Sequence, residues 1–219
     1  TRKLTWSYTG EQLMIVWEKD WAIGDTGKVI ITYEVQSPPK ALNFSHPDEH
    51  YPSRPISVVS DHETERARYW IPCIDNPMVR TTVDFHITAK AGLTVLAGGT
   101  LVGKQEATID GVEHEEHHWS LDIRTPSYLL CVAIGDFGRV DMGTCQSTEL
   151  AVFTTQANQP DLSLVPTYGR TKEIMQWLTK KLDVTFPLPK YYQVAVYGLH
   201  GAMENMTLVS WDDSWLVTE

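Results

Sequence analysis

Two stretches of this sequence carry residue types that could do chemistry. His114-Glu115-Glu116-His117-His118 fits the HExxH spacing, in which two histidines hold zinc and a glutamate activates water. That chemistry needs both histidines one helical turn apart on one face. This stretch instead follows Asp110-Gly111, a turn signal, and runs into Trp119-Ser120-Leu121, which alternates as a hairpin strand does. On a strand, residues four apart stand about 13 Å from each other at roughly 3.3 Å per residue, too far to share an ion held near about 2 Å. The stretch therefore reads as a polar, solvated strand beside a turn. The second stretch, Gly201-Ala202-Met203-Glu204-Asn205, follows a strand-like run and offers two small residues, where a ligand backbone could lie against the main chain, and then a carboxylate. Taken alone, such a pentapeptide is more often an ordinary loop. Glu63, in Ser60-Asp61-His62-Glu63, likewise reads alone as a surface charge near Arg66 and Arg68.

The elements that position these residues change character along the chain. Up to about Phe153, short runs with strand character are separated by turn signals: Gln12–Trp17, Lys28–Val35, Thr82–Ala89, Thr94–Ala97, Trp119–Ile123, Tyr128–Ile134 and Leu150–Phe153. Their density predicts antiparallel β structure. Val165–Leu182 then places Met175, Leu178 and Leu182 at helical spacing, with Pro166 in the first turn and Lys180 and Lys181 in the last, and Pro187 and Pro189 end the helix. Tyr191–Tyr197 resumes as a strand leading to the Gly201–Asn205 stretch. A boundary near residues 153–160 divides the sequence into domains 1–155 and 156–219.

Composition narrows the functions further. With 219 residues, 42% of them hydrophobic, the chain can bury one large core or two modest ones. A net charge of -10 opposes binding to a phosphate backbone, so nucleic acid is set aside. Cys73, Cys131 and Cys145 show no CxxC spacing and read as buried thiols, with room for one disulfide. No apolar run approaches the roughly 20 residues of a membrane span. The reading is a soluble chain, with the cytoplasm slightly favoured.

Three landmarks in order carry a family resemblance. Gly201-Ala202-Met203-Glu204-Asn205 resembles the exopeptidase motif of the aminopeptidase N family of zinc aminopeptidases, which are gluzincin metallopeptidases, and its approach Phe186-Pro187-Leu188-Pro189-Lys190 to Val196 is similar to that family's. Arg68-Tyr69-Trp70-Ile71-Pro72-Cys73-Ile74-Asp75-Asn76-Pro77 resembles its Arg-x-x-x-Pro-Cys-x-Asp-x-Pro segment. Thr125 to Leu130, with Gly135-Asp136-Phe137, resembles its strand before the domain boundary.

The resemblance implies a mainly β fold: a bent, saddle-like antiparallel sheet or sandwich as N-terminal domain, its first strands outside this chain, then the α+β beginning of a thermolysin-like catalytic domain. It implies peptides with a free amino terminus as substrates. Glu204 and Glu63 then match the carboxylates that bind the substrate's α-ammonium group, and Gly201 and Ala202 the main chain that pairs with the peptide, with Met203 and Asn205 completing the motif. Asp61 stands where the family more often has Gln, which implies a preference for basic side chains, and His200 occupies a variable position lining the first pocket. Zinc is the implied cofactor, but its ligands, the general base and the oxyanion-stabilising Tyr follow the motif in that family and fall beyond residue 219, so this chain holds no catalytic or metal-ligating residue and is expected to be inactive alone. The competing reading is a non-catalytic relative serving as an interaction scaffold. A carbohydrate-binding or adhesion β-sandwich would explain the strands but not the Gly201–Asn205 motif.

Overall fold

A computed structural model describes residues 3–155 and 166–217, and the chain divides into two compact units, Thr1–Glu34 and Val35–Glu219. The described residues are mainly β. In the first unit, β1 (Thr5–Tyr8) and β2 (Leu13–Val16) form an antiparallel hairpin, the second strand lying within the expected Gln12–Trp17 run. The strand expected over Lys28–Val35 does not form. Its Val, Ile and Tyr residues have the propensity, but a strand exists only as half of a ladder, and this exposed run joins none of the sheets.

The second unit runs β3 (Leu42–Ser45), β4 (Ser57–Ser60), β5 (Arg80–Lys90), β6 (Thr94–Ala97), β7 (Thr100–Ile109), β8 (Val112–Pro126), β9 (Val132–Gly135), β10 (Phe137–Cys145), β11 (Thr148–Thr155), α1 (Thr171–Leu182), β12 (Lys190–Val196), β13 (Ala202–Met203) and β14 (Leu208–Asp212). A four-stranded sheet has the order β3-β4-β9-β6 and a three-stranded sheet β5-β8-β7, both antiparallel. The five-stranded sheet β10-β11-β12-β14-β13 is mixed, because β12 runs parallel to both β11 and β14. It draws β10 and β11 from before residue 155 and the other strands from after it, so the boundary expected there runs through this sheet and abuts residues outside the described ones.

The helix begins at Thr171, and Val165, where the sequence placed its start, lies outside the described residues. It stops before the prolines, because Asp183 turns left-handed at φ 53° and donates its N–H back toward Thr179. Of the expected apolar stripe only Met175 is buried; Leu178 and Leu182 are exposed, since no described element packs over that face. All three cysteines are free; Cys131 and Cys145 are buried as expected, whereas Cys73 is exposed.

One core joins the three sheets of this unit. Val59, Leu96 and Val132 come from the four-stranded sheet, Trp119 from the three-stranded, and Phe137, Phe153, Val194 and Leu208 from the five-stranded. The corner between β6 and β7 threads through the meeting point. Gly98 donates its N–H to the Cys131 carbonyl at 3.0 Å, and Gly99 donates to Thr207 Oγ1 at 2.8 Å. Gly99 adopts φ +87°, and a Cβ there would stand 2.0 Å from the Ser120 carbonyl oxygen. Gly99→Ala should therefore lower stability by more than about 2 kcal/mol in denaturant unfolding, through left-handed strain and a main-chain clash. Gly103→Ala, where a Cβ meets nothing within 4 Å and φ is not positive, should stay within about 0.5 kcal/mol of wild type. Equal effects would contradict this account of the corner.

Candidate functional site

The HExxH stretch lies on β8, paired on both sides with β5 and β7. Asp110 and Gly111, at φ 52° and 77°, make the two-residue turn between Ile109 and Val112 that fixes this register. His114 Nδ1–H donates to the Val112 carbonyl at 2.9 Å, while His118 bonds to Asp84 at 3.2 Å and stacks on His86 with ring centroids 4.2 Å apart. The two histidines of the pattern are engaged with different partners. Among the described residues no group of three or more His, Cys, Asp or Glu is placed to hold a metal ion, so the residues present do not fit a zinc site.

The second stretch is a strand edge. Ala202 and Met203 form β13, paired antiparallel to β14 through Trp211 and Ser210, and β13 closes one end of the five-stranded sheet, with no strand among the described residues on its outer side. Three contacts shape it. The Gly201 carbonyl accepts from Asp212 N at 2.8 Å, His200 N–H donates to Asp212 Oδ2 at 2.6 Å, and the buried Asn205 amide donates to the Met203 carbonyl and Ser210 Oγ. His200 is exposed and left-handed at φ 59°, held so by this bond to Asp212. Burial alone would raise the Asp212 carboxyl, but the bonds from Ser214 and His200 together hold it below the usual carboxylate range, so it stays an anion at the turn.

Gly201 is informative because the fold does not demand it. Its φ is not positive, and a Cβ there would meet nothing within 4 Å. The open space lies beside an unpaired main chain, followed by Glu204, whose side chain is exposed and forms no ion pair with any described residue. Met203 turns the other way and is buried.

Glu63 stands at the other end of the chain's first half, exposed, in a cavity of about 450 Å³ with Lys40, Arg66 and Arg68. Those arginines are already engaged. Arg66 pairs with Asp61 at 2.7 Å, and Arg68 pairs with the buried Asp75 at 3.2 Å while also donating to its carbonyl. Glu63 forms no ion pair among the described residues, whereas Asp61 is paired with Arg66 and also accepts the Glu63 N–H. The preference for basic substrates expected from Asp61 lacks the free carboxylate on which it rested.

Both stretches hang on the segment between β8 and β9. Met206 N–H, two residues after Glu204, donates to the Leu129 carbonyl at 3.0 Å. On the Glu63 side, Ser60 Oγ accepts from Val132 N at 2.9 Å, and Asp75 accepts from Ser127 Oγ. Sequence reasoning gave no role to Ser127, His62 or Asp212. The first two lie inside quoted motifs, but nothing in their type or spacing announces which backbone they meet.

His62 is fully buried and accepts a hydrogen bond from Trp70 Nε1–H at 2.7 Å on its Nε2. Burial pushes its pKa below the ordinary 6.5, against the opposing pull of the Leu130 backbone and the Asp61 and Asp75 carboxylates. The unfolded chain therefore takes up this proton first, so the contribution of neutral His62 is complete above about pH 6.5 and is lost as the pH falls below it. In denaturant unfolding between pH 8 and 5.5, wild type should lose stability more steeply than His62→Gln, which keeps an acceptor for Trp70. His117, also lowered by burial, is common to both and cancels. Identical slopes would contradict the neutral, buried imidazole.

Comparison with known proteins gives a concordant result. Residues 5–129 match the family model described as the peptidase M1 N-terminal domain. The chain is similar to puromycin-sensitive aminopeptidase of Caenorhabditis elegans, 27% identical over 160 residues, which covers 72% of this chain and 16% of the relative. It is also similar to aminopeptidase N of Lactobacillus delbrueckii subsp. lactis, 26% identical over 204 residues (90% of this chain, 23% of the relative). Endoplasmic reticulum aminopeptidase 1 of Rattus norvegicus is 24% identical over 212 residues, 94% of this chain and 22% of that protein. The chain thus spans less than a quarter of the length of these relatives.

Proposed function

The chain belongs to the peptidase M1 family, and we propose that it supplies the amine-recognition part of a zinc-dependent aminopeptidase that removes residues from the free amino terminus of peptides. In this reading residues 1–155 are the N-terminal β domain and residues 156–219 begin the catalytic domain. The observation that carries it is the edge strand β13, whose outer main chain pairs with no strand among the described residues, beside an unfilled Gly201 and directly before an exposed Glu204 that forms no ion pair among them.

A substrate peptide adds to that edge as a further strand, its main chain hydrogen bonding to Gly201 and Ala202. Its terminal ammonium carries three donors and a full positive charge, which Glu204 and Glu63 accept together. An internal peptide N–H offers one donor and no charge, so it leaves both carboxylates unsatisfied. Fixing the terminus also fixes the first scissile carbonyl, since only one residue separates them. In this reading the residues here bind and orient the substrate.

Two measurements test the reading. The purified chain should hold no stoichiometric zinc by elemental analysis and cleave no aminoacyl chromogenic substrate; one tightly held equivalent would contradict the placement of the HExxH stretch on a strand. In the complete protein, Glu204→Ala should lower kcat/KM for leucine p-nitroanilide about 10- to 100-fold, the equivalent of a charged hydrogen bond worth about 1.5–3 kcal/mol. The N-acetylated substrate should be cleaved by neither. A complete protein that cleaves no free-amine substrate would instead favour a non-catalytic interaction scaffold.

A further inference from the structure

One cavity of the described residues shares no residue with the edge-strand site. It has a volume of about 770 Å³, an apolar wall that includes Leu96, Leu101, Trp119 and Phe153, and a polar wall that includes Lys190 and Arg139. We propose that this cavity binds a small organic monocarboxylate, its anionic end against Lys190 and Arg139 and its hydrocarbon part against Trp119 and Phe153.

The argument starts from Lys190, which is only 4% exposed. Its Nζ donates one hydrogen bond, to the Ala97 carbonyl at 2.8 Å, and sits 4.2 Å from the Trp119 ring centroid and 4.7 Å from that of Tyr192. A buried ammonium calls for a counter-charge. None of the described carboxylates provides one. The nearest candidate, Glu149, is committed to Arg139 at 2.7 Å and to the Tyr192 hydroxyl at 2.6 Å. Burial brings the Lys190 pKa down to about 7, against the weaker opposing pull of Cys131 and Glu149.

The remaining charges of the cavity point the same way. Lys104 faces Glu115 at 4.0 Å, and Arg139 faces Glu149, so Lys190 is the cation in excess. This local surplus stands out in a chain of net charge -10. One surplus charge matches one carboxylate better than a phosphate dianion. The aromatic and aliphatic walls favour a ligand with a hydrocarbon portion over a bare ion. Arg139, half exposed, offers a planar fork suited to a carboxylate.

The test uses calorimetric titration of the 219-residue chain with 3-phenylpropionate and with its uncharged isostere 3-phenylpropionamide. The carboxylate should bind at least tenfold tighter than the amide. Lys190→Met, which keeps the length and bulk of the side chain, should abolish that difference while leaving amide binding and the near-ultraviolet circular dichroism unchanged. If Lys190→Met does not fold, Arg139→Gln decides, and should weaken the carboxylate several-fold but not the amide. Equal affinities in wild type, no binding of the carboxylate, or a preference that survives the deciding substitution would each overturn the proposal. None of these outcomes depends on aminopeptidase activity.

Discussion

The segment Ser127–Val132, a 3-10 turn running into β9, receives bonds from four distant parts of the chain. Ser127 holds Asp75, Val132 N holds Ser60, the Cys131 carbonyl holds Gly98, and the Leu129 carbonyl holds Met206. At about 1 kcal/mol for each buried hydrogen bond, these ties are together worth about 4 kcal/mol, a large share of a typical total of about 5–15. They are also the means by which three sheets keep one relative placement. Ser60 and Met206, close in sequence to Glu63 and Glu204, are among the residues so tied.

Charged residues around the site are likewise spent on structure. Arg68 and Asp75 lock the turn that follows Glu63, Arg66 occupies Asp61, and Asp212 pins His200. The two arginine pairs each tie up a carboxylate, whereas Asp212 remains an anion bonded to the His200 main chain. Glu63 and Glu204 stay open to solvent, and an exposed carboxylate needs no counter-ion until a cation arrives.

How much of this could be read in the sequence depended on how local each signal was. The strand placement of His114–His118 followed from Asp110-Gly111, whose turn chemistry is written in adjacent residues, and Thr94–Ala97 appeared with its bounds unchanged. β3, at a sheet edge, and β4 are four-residue strands, too short to show a clear alternation. Lys28–Val35 had the right composition, but pairing is a tertiary fact. The Gly201–Asn205 motif was recognised through resemblance, while its position at a sheet edge depends on β14, which is later in sequence. Lys190 was quoted only as part of an approach segment; nothing in a lysine between Pro189 and Tyr191 tells that it will be buried against Trp119.

The central claim is that Glu63 and Glu204, held by one buried segment, act as one amine-binding site. A double-mutant cycle in the complete protein tests it most directly, using the dissociation constant of leucinamide for wild type, Glu63→Gln, Glu204→Gln and the double variant. A shared ammonium predicts strong non-additivity, with an interaction energy of at least about 1 kcal/mol. Additive losses within about 0.5 kcal/mol, or a Glu63→Gln that binds leucinamide as wild type does, would contradict it and return Glu63 to the role of a surface charge.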